Sequence, residues 1–442
     1  AEYQEKKDDL QTREFLNAIS GTLIFTLFIF TLVVLTFAPI FIFLFAPGFY
    51  FDPIKQDISV QVLRIMFPYL ALISLVALAG GIQNTHQKFS LPALTPVIFN
   101  LSLIVAALFI APKYDMPIYV LAWSVLLAGL LQLVIQIAPL RSIKRLPTPK
   151  INFKNKGIKK FFVVIFPAIL AGGIIQINLL VDTIFASLLE TGSPTWLYVS
   201  DRLVQFPLGI FAIAIGTVLL PTLSKLDANK ERIAFNNTIK KGQRFVLFIG
   251  IPSLIGLMFC AEDLISTIFY RGAFTEVDVF NSSMSLMAFS MGLPFFMLMK
   301  VLTPAFFARK DTKTPMFVAI ISLVLNATLN YLLAFVLNFG HVGIAIGSSV
   351  AALVSVLILE GILYKDGFIK MHGVINRFNI MILFSSIALI VFLYFFTSMT
   401  NFMNFNQPQR FLFLTIEIII SIAIYFSVSK LIYQKSLKNL FN

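Results

Sequence analysis

The chain has 442 residues, of which 58% are hydrophobic, 14% aromatic and only 12% charged. Soluble domains average about 25% charged and 45–50% apolar residues, so a soluble enzyme, a nucleic-acid-binding protein and a disordered chain are excluded. Apolar runs longer than twenty residues exclude a membrane β-barrel, whose strands alternate, and leave an all-α polytopic membrane protein.

Twelve spans are predicted in chain order, near 16–39, 62–84, 92–112, 117–140, 161–189, 196–221, 241–261, 283–307, 315–337, 341–364, 378–398 and 410–433. Each is long enough for a hydrocarbon core about 30 Å thick. With the N-terminus on one side, 27 of the 34 Lys and Arg fall in loops on that side and five on the other, while Arg202 and Lys300 lie inside helices. The basic side is cytoplasmic by this bias, and both termini are expected inside. The net charge of +13 therefore reads as topology and contact with membrane lipids rather than nucleic acid. The single Cys260 has no intrachain disulfide partner, and three His without a Cys/His cluster predict no structural metal.

The sequence also suggests an internal repeat. The connector His86–Lys88 leads to Pro92, and Arg309–Lys313 leads to Pro315, an offset of 223. Gly48 and Gly272 follow the first and seventh spans at an offset of 224. The first four spans thus read as a diverged copy of the seventh to tenth. On that offset, partners of the fifth and sixth spans would precede residue 1. The chain is accordingly expected to be a piece lacking two N-terminal helices, 12 of a probable 14. Repeats related by an axis normal to the membrane are a transporter plan, with substrate handled near their interface.

Charged groups in a helix centre need a partner, water or a job. The sixth span carries Arg202, with Gln205, Gly209 and Gly216 following at spacings of 3, 4 and 7, one polar or small stripe. One reading is a guanidinium facing a water-filled cavity, where its planar fork binds phosphate. The competing reading is an Arg snorkelling to the interface and paired with Asp201. The fifth span carries Gln176, Asn178 and Asp182, the last two sharing a face, with Pro167 and Gly172–Gly173 to loosen the helix. Asn100, Asn326 and Asn330 read as interhelical glue, and Gln132 and Gln136 as cavity lining or glue. Lys300 stays open between cavity and snorkelling. Glu360 reads as solvated, Glu417 as needing a partner, and Arg271 as part of a solvated cluster with Glu262, Asp263, Glu276 and Asp278. The basic loop 141–160 is a topology signal that also attracts anionic lipid.

Walker A, HExxH and GxSxG patterns are absent, and no cytoplasmic loop is long enough for an ATPase domain. Uphill work would come from an ion gradient, the membrane potential or a partner. No cofactor is expected. A membrane-embedded transferase would need acidic loops for metal, whereas 141–160 and 225–244 are basic.

The run YVSDRLVQFPLGIFAIAIGTVLLPTLSK (198–225) resembles the MurJ/MviN family of bacterial lipid II flippases, in the MOP exporter superfamily. Residues 80–104, 167–189 and 304–315 resemble it too, and the resemblance extends along essentially the whole chain. It implies a MOP/MATE-like two-lobe helical transporter rather than an enzyme. Residues 1–140 would be the rest of the N-terminal lobe, 141–160 a cytoplasmic linker, 161–364 the C-terminal six-helix lobe, and 365–442 two helices framing a lipid-facing groove. It implies transport of undecaprenyl-diphosphate-disaccharide-pentapeptide from the inner to the outer leaflet of the bacterial inner membrane, by alternating access. Membrane lipids and cell-wall synthesis proteins would be further partners. It places Arg202 on the diphosphate, with Asp201, Gln205, Asp182, Asn178 and Gln176 around the cavity; some relatives have Glu at Gln205, and many have Asn at Asp182. The alternative is another MOP-superfamily exporter, an O-antigen flippase or a cation-coupled drug antiporter.

Overall fold

The computed structural model describes residues 9–152, 155–369, 377–400 and 402–432, and every regular element among them is a helix. The polar segment 1–8 and the side chains of Pro167 and Gly172 lie outside the described residues. The chain forms two compact units, Ala1–Gly172 and Gly173–Asn442.

The first unit opens with α1 (Asp9–Thr36), followed by the short α2 (Ala38–Phe45) and α3 (Pro47–Tyr50), then α4 (Pro53–Met66) and α5 (Tyr69–Thr85). Prolines sit in the first turns of α2, α3 and α4, where the missing N–H is unneeded. Asp52 caps α4, its Oδ1 accepting from the N–H groups of Ile54 at 3.1 Å and Lys55 at 3.2 Å. Next come α6 (Ser90–Val105), extended by a π turn at Ala106–Ile110, and α7 (Pro117–Ser142). Helix α7 packs on α5 and α6. Its glutamines bridge them: Gln132 Nε2 donates to the Thr95 carbonyl at 2.7 Å, and Gln136 accepts from Gln83. Asn100, expected as glue, is exposed on α6.

The boundary between the units falls inside α8 (Lys156–Ser187), which starts within the segment expected as a linker. The second unit continues with α9 (Ser193–Pro207), a π turn at Leu208–Ala212, α10 (Ile213–Ala228), α11 (Arg232–Phe259), α12 (Ala261–Phe269) and α13 (Glu276–Ala308). It ends with α14 (Lys313–Tyr331), a π turn at Leu332–Val336, α15 (Gly340–Lys365), α16 (Arg377–Met399) and α17 (Gln407–Ile432). Helix α13 is the hub, packing against α9, α10, α11, α12 and α15. Its Leu286, Leu293, Met297, Val301 and Phe306 are fully buried, against Ile239 and Val246 of α11 and Ile344 and Leu359 of α15. Small residues let α13 and α15 approach: Gly292 faces the Ser349 backbone, and Ser349 Oγ donates to the Ala288 carbonyl at 2.8 Å.

Helix ends recur at one offset. Asp9–Thr36 and Arg232–Phe259, Pro53–Thr85 and Glu276–Ala308, and Pro117–Ser142 and Gly340–Lys365 each differ by 223 at both ends. The caps Asp52 and Thr275 do so too, as do the left-handed residues Gln87 and Lys310, and Lys144 and Gly367. Among the described residues ten helices are long and apolar enough to cross a membrane, and the pair Ser193–Phe211 and Ala214–Ala228, bent by 42°, is an eleventh. Helix α8 occupies the position of the fifth expected span.

Helices α16 and α17 pack together, and α16 lies on α11 through Phe248, Ile255, Phe378, Met381 and Leu389. Two polar contacts tie α17 to α11 and to the Cys260 that caps its end. Pro252 cannot donate to the Phe248 carbonyl four residues back, and the Tyr425 hydroxyl donates to it at 3.0 Å instead. The Cys260 thiol donates to Glu417 Oε1 at 3.1 Å, the partner that Glu417 was expected to need. Glu360, expected as solvated, accepts from Gln243 Nε2 at 2.6 Å, because α11 and α15 bury it halfway.

The expected solvated cluster around Arg271 does not form as such. Asp263 is buried, Asp278 closes a capping box with Thr275, and Glu276 accepts from the Tyr270 hydroxyl. Arg410 is buried as well. Its guanidinium donates to the carbonyls of Phe402, Ser266 and Met403 and lies 4.7 Å from the Tyr270 ring centre.

Candidate functional site

Helix α9 is amphipathic, and one face is fastened to α13. Trp196 Nε1 donates to Asp278 Oδ1 at 2.8 Å, and Ser200 Oγ donates to the Ser282 carbonyl at 2.6 Å. The Trp196 ring meets His341 edge-on at 4.9 Å, and His341 Nδ1 lies 2.6 Å from Ser285 Oγ. Trp196, Ser200, Val204 and Pro207 are buried on this face. Its opposite face turns Tyr198, Arg202, Gln205 and Gly209 outward.

On that outer face the Arg202 guanidinium carbon stands 4.7 Å from the Tyr198 ring centre. At this distance the cation is attracted to the face of the ring. Among the described residues no hydrogen bond or ion pair occupies its N–H groups. Asp201 is half-buried and accepts from Gln205 Nε2 at 3.4 Å, rather than pairing with Arg202. The competing sequence reading, a snorkelling Arg paired with Asp201, therefore lacks its ion pair. The continuous stripe to Gly216 is not observed. Pro207 removes a helical donor, the π turn at 208–212 follows, and the register shifts before α10 begins. Gly216 instead packs against α13, where a Cβ would lie 3.4 Å from the Lys300 carbonyl. The Lys300 side chain is exposed.

A second polar group lies where α8, α14 and α15 meet. Asp182 Oδ1 accepts from Asn326 Nδ2 at 2.8 Å and Asn330 Nδ2 at 2.6 Å, and its Oδ2 accepts from Ser348 Oγ at 3.3 Å. Asn326 Nδ2 also donates to Asn178 Oδ1 at 3.0 Å. Asn178 and Asp182 are four apart on α8, as Asn326 and Asn330 are on α14, so each pair shares a helix face. Gly347 of α15 makes the room: any Cβ there would collide with Asn330 Oδ1. Three donors hold the Asp182 carboxylate, and among the described residues none of its partners is a cation. If the two amides rotated, they would present oxygens, a set suited to a hard cation rather than a transition metal. Asn330 Oδ1 is already buried without a partner. Among the described residues no three of His, Cys, Asp and Glu cluster closely enough for a metal.

Of the residues singled out in the sequence, the structure joins Asn178 to Asp182 through Asn326, and Asp201 to Gln205 beside Arg202. Gln176 is exposed, and no hydrogen bond among the described residues ties it to the ring. Asn326 and Asn330 had read only as glue, and Ser348 had not been singled out; the one sequence signal was two asparagines a turn apart in an apolar helix.

Comparison with known proteins supplies the family. The family described as "Lipid II flippase MurJ" matches residues 1–413. A probable lipid II flippase MurJ of Haemophilus influenzae is 38% identical over 402 residues, covering 88% of this chain and 78% of that protein. A solved lipid II flippase MurJ in an inward closed conformation superposes with a TM-score of 0.79 at 27% identity, covering 97% of this chain and 86% of that one. An inward-facing multidrug transporter of the MATE family, in the MOP superfamily, shares the fold alone, with a TM-score of 0.61 at 14% identity over 81% of this chain and 86% of its own. With a family match that spans almost all of its length and a close superposition on a solved lipid II flippase MurJ, the chain belongs to the MurJ family of lipid II flippases.

Proposed function

We propose that the chain carries lipid II, undecaprenyl-diphosphate-disaccharide-pentapeptide, from the inner to the outer leaflet of the bacterial cytoplasmic membrane. A diphosphate with two sugars is too polar to cross about 30 Å of hydrocarbon unaided, while the polyprenyl tail needs no exit from lipid. A cavity open sideways lets the headgroup pass with the tail outside. Residues 161–364 act as one lobe and 1–140 as part of the other, rocking about the central site, and both termini face the cytoplasm. The carrying observation is Arg202: an exposed guanidinium 4.7 Å from the Tyr198 ring centre, with no hydrogen bond or ion pair to it among the described residues, on a helix fastened to α13. It anchors the diphosphate bidentately. Asp201 and Gln205 shape its surroundings. The Asp182 ring gives an ion gradient a place to act on α8, α14 and α15.

The test is complementation in a bacterium depleted of its own lipid II flippase. Rescue by the wild type and failure by an equally expressed Arg202→Ala are expected. Full rescue by Arg202→Ala would remove the anchor role. No rescue by a correctly inserted wild type would favour another exporter of the same fold, tested next by drug efflux and O-antigen transport.

A further inference from the structure

Helices α9 and α13 run in parallel, and two side-chain bonds hold them in one register. Trp196 Nε1 donates to Asp278 Oδ1 at 2.8 Å, and Ser200 Oγ donates to the Ser282 carbonyl at 2.6 Å, both across 82 positions of sequence. One turn further, the same spacing pairs Val204 with Leu286, and both are buried in one hydrophobic core. Apolar layers alone tolerate a slip of a helical turn, because one aliphatic side chain replaces another. Buried polar bonds do not, because each donor has a single acceptor at one height. The Trp196 ring is held from two further sides. It meets His341 of α15 edge-on at 4.9 Å, and Gly192, left-handed at φ 110°, leaves space that any Cβ would take from the ring. Asp278 also closes the start of α13, its Oδ2 accepting from the Thr275 N–H and hydroxyl, each at 2.7 Å. A helix stop does not demand that carboxylate. At the repeat position 223 residues earlier the cap is Asp52, and Lys55 stands in the place of Asp278.

We propose that Asp278 and Trp196 are positioning residues for the diphosphate anchor: they lock the register of α9 on α13 and so set the depth of Arg202, a role that rests on Arg202 being that anchor. Arg202 stands six residues beyond Trp196, about 9 Å along the axis. The other end of α9 cannot set its depth. Pro207 lacks a helical donor there, and the π turn at Leu208–Ala212 follows. A slip of four residues would carry the guanidinium about 6 Å along α13, farther than a hydrogen bond to phosphate can stretch. Trp196 and Ser200 are buried while Arg202 is exposed, so the lock acts on the anchor without touching the ligand.

Equilibrium binding of lipid II to the detergent-purified protein tests it, with thermal unfolding recorded in parallel. Trp196→Phe keeps an aromatic ring beside His341 but loses the N–H donor, and it should weaken binding about tenfold. Ser200→Ala is a smaller change and should weaken it about threefold. Thr275→Ala opens the cap of α13 but leaves the Trp196 bond, so it should lower the unfolding temperature and still bind lipid II. The decisive measurement is a double-mutant cycle. In an Arg202→Ala background, Trp196→Phe should have no further effect on binding, since the lock has nothing left to position. Should Trp196→Phe not fold, Ser200→Ala carries the same cycle. The chain has two tryptophans, so Trp123→Phe leaves Trp196 as its sole indole. In that background Asp278→Ala should shift the emission to shorter wavelength, because the indole N–H loses a charged acceptor. Additive losses in the cycle, or an unshifted emission, would overturn the proposal. Loss of binding in Arg202→Ala with wild-type affinity in Trp196→Phe and Ser200→Ala would sink the lock alone. Wild-type affinity in Arg202→Ala would sink the anchor and the lock with it.

Discussion

Asn326 Nδ2 donates to Asp182 Oδ1 at 2.8 Å, joining α14 to α8 across 144 positions of sequence. The same amide reaches Asn178, so one side chain holds two positions of α8. Asn326→Leu should leave Asp182 short of a donor and destabilise the protein by about 1–3 kcal/mol, read as a lowered midpoint of thermal unfolding in detergent. Asp182→Asn, which keeps a polar group of the same shape, should cost less. Equal effects of the two would show that the carboxylate charge is not what Asn326 holds.

Gly347→Ala should disturb the ring from the other side. The added methyl meets Asn330 Oδ1, which must move for α14 and α15 to keep their separation. Overpacking of this kind costs about 1–3 kcal/mol. Combined with Asn330→Ala the cost should shrink, because the colliding atom is gone. A double-mutant cycle with no coupling would contradict the contact.

Arg202→Lys separates charge from shape. Lysine keeps the positive charge but has neither the planar fork nor the stacking surface that Tyr198 meets. Transport in a flippase-depleted cell should fall about tenfold, between wild type and Arg202→Ala. Full activity of Arg202→Lys would reduce the site to a point charge.

Tyr425→Phe should loosen α17. The substitution strands the Phe248 carbonyl, which Pro252 has already deprived of its helical donor. A cost of about 1–3 kcal/mol is expected, with faster amide exchange in α17 than in α13. Pro252→Ala in the same background should restore stability, by giving that carbonyl a backbone N–H.

Asp263 predicts a pH dependence. Burial, then the nearby Glu417 and Glu262, push its carboxyl up to about 8. An unfolded Asp ionises near 3.9. Between these values the folded chain holds a proton that the unfolded chain has lost, so stability falls as pH rises through the window and levels off above it. Asp263→Asn should match the wild type near pH 4 and exceed it increasingly toward pH 8, in thermal unfolding at a series of pH values. A gain that does not change with pH would place the effect in packing.

Spans and repeat were legible because each rests on local signals: apolar length, and caps at fixed spacing. Arg202 stood out because a guanidinium inside an apolar helix is conspicuous, and the structure places it exposed beside Tyr198. The ring was only half legible. Asn178 and Asp182 share a turn, but Asn326, Asn330 and Ser348 reach Asp182 over 144 to 166 positions, and no local pattern encodes that meeting. The stripe to Gly216 misled because a π turn is a defect in periodicity, and a helical wheel assumes periodicity. Glu360 misled for a related reason: nearness to a helix end says nothing about the neighbour, Gln243, that covers it.

The 223-residue recurrence of helix ends also shows what a duplicated scaffold is free to change. At that offset the ring residues Asn326, Asn330 and Ser348 correspond to Leu103, Ala107 and Val125, all apolar. In the other direction, the Gln83–Gln136 contact corresponds to Phe306 and Leu359, both buried in the hydrophobic core. Ancestral symmetry survives in the lengths and stops of the helices, while the chemistry between them has specialised. A chimera with two identical halves would inherit the helix lengths and stops without the Asp182 ring or without the Gln83–Gln136 contact.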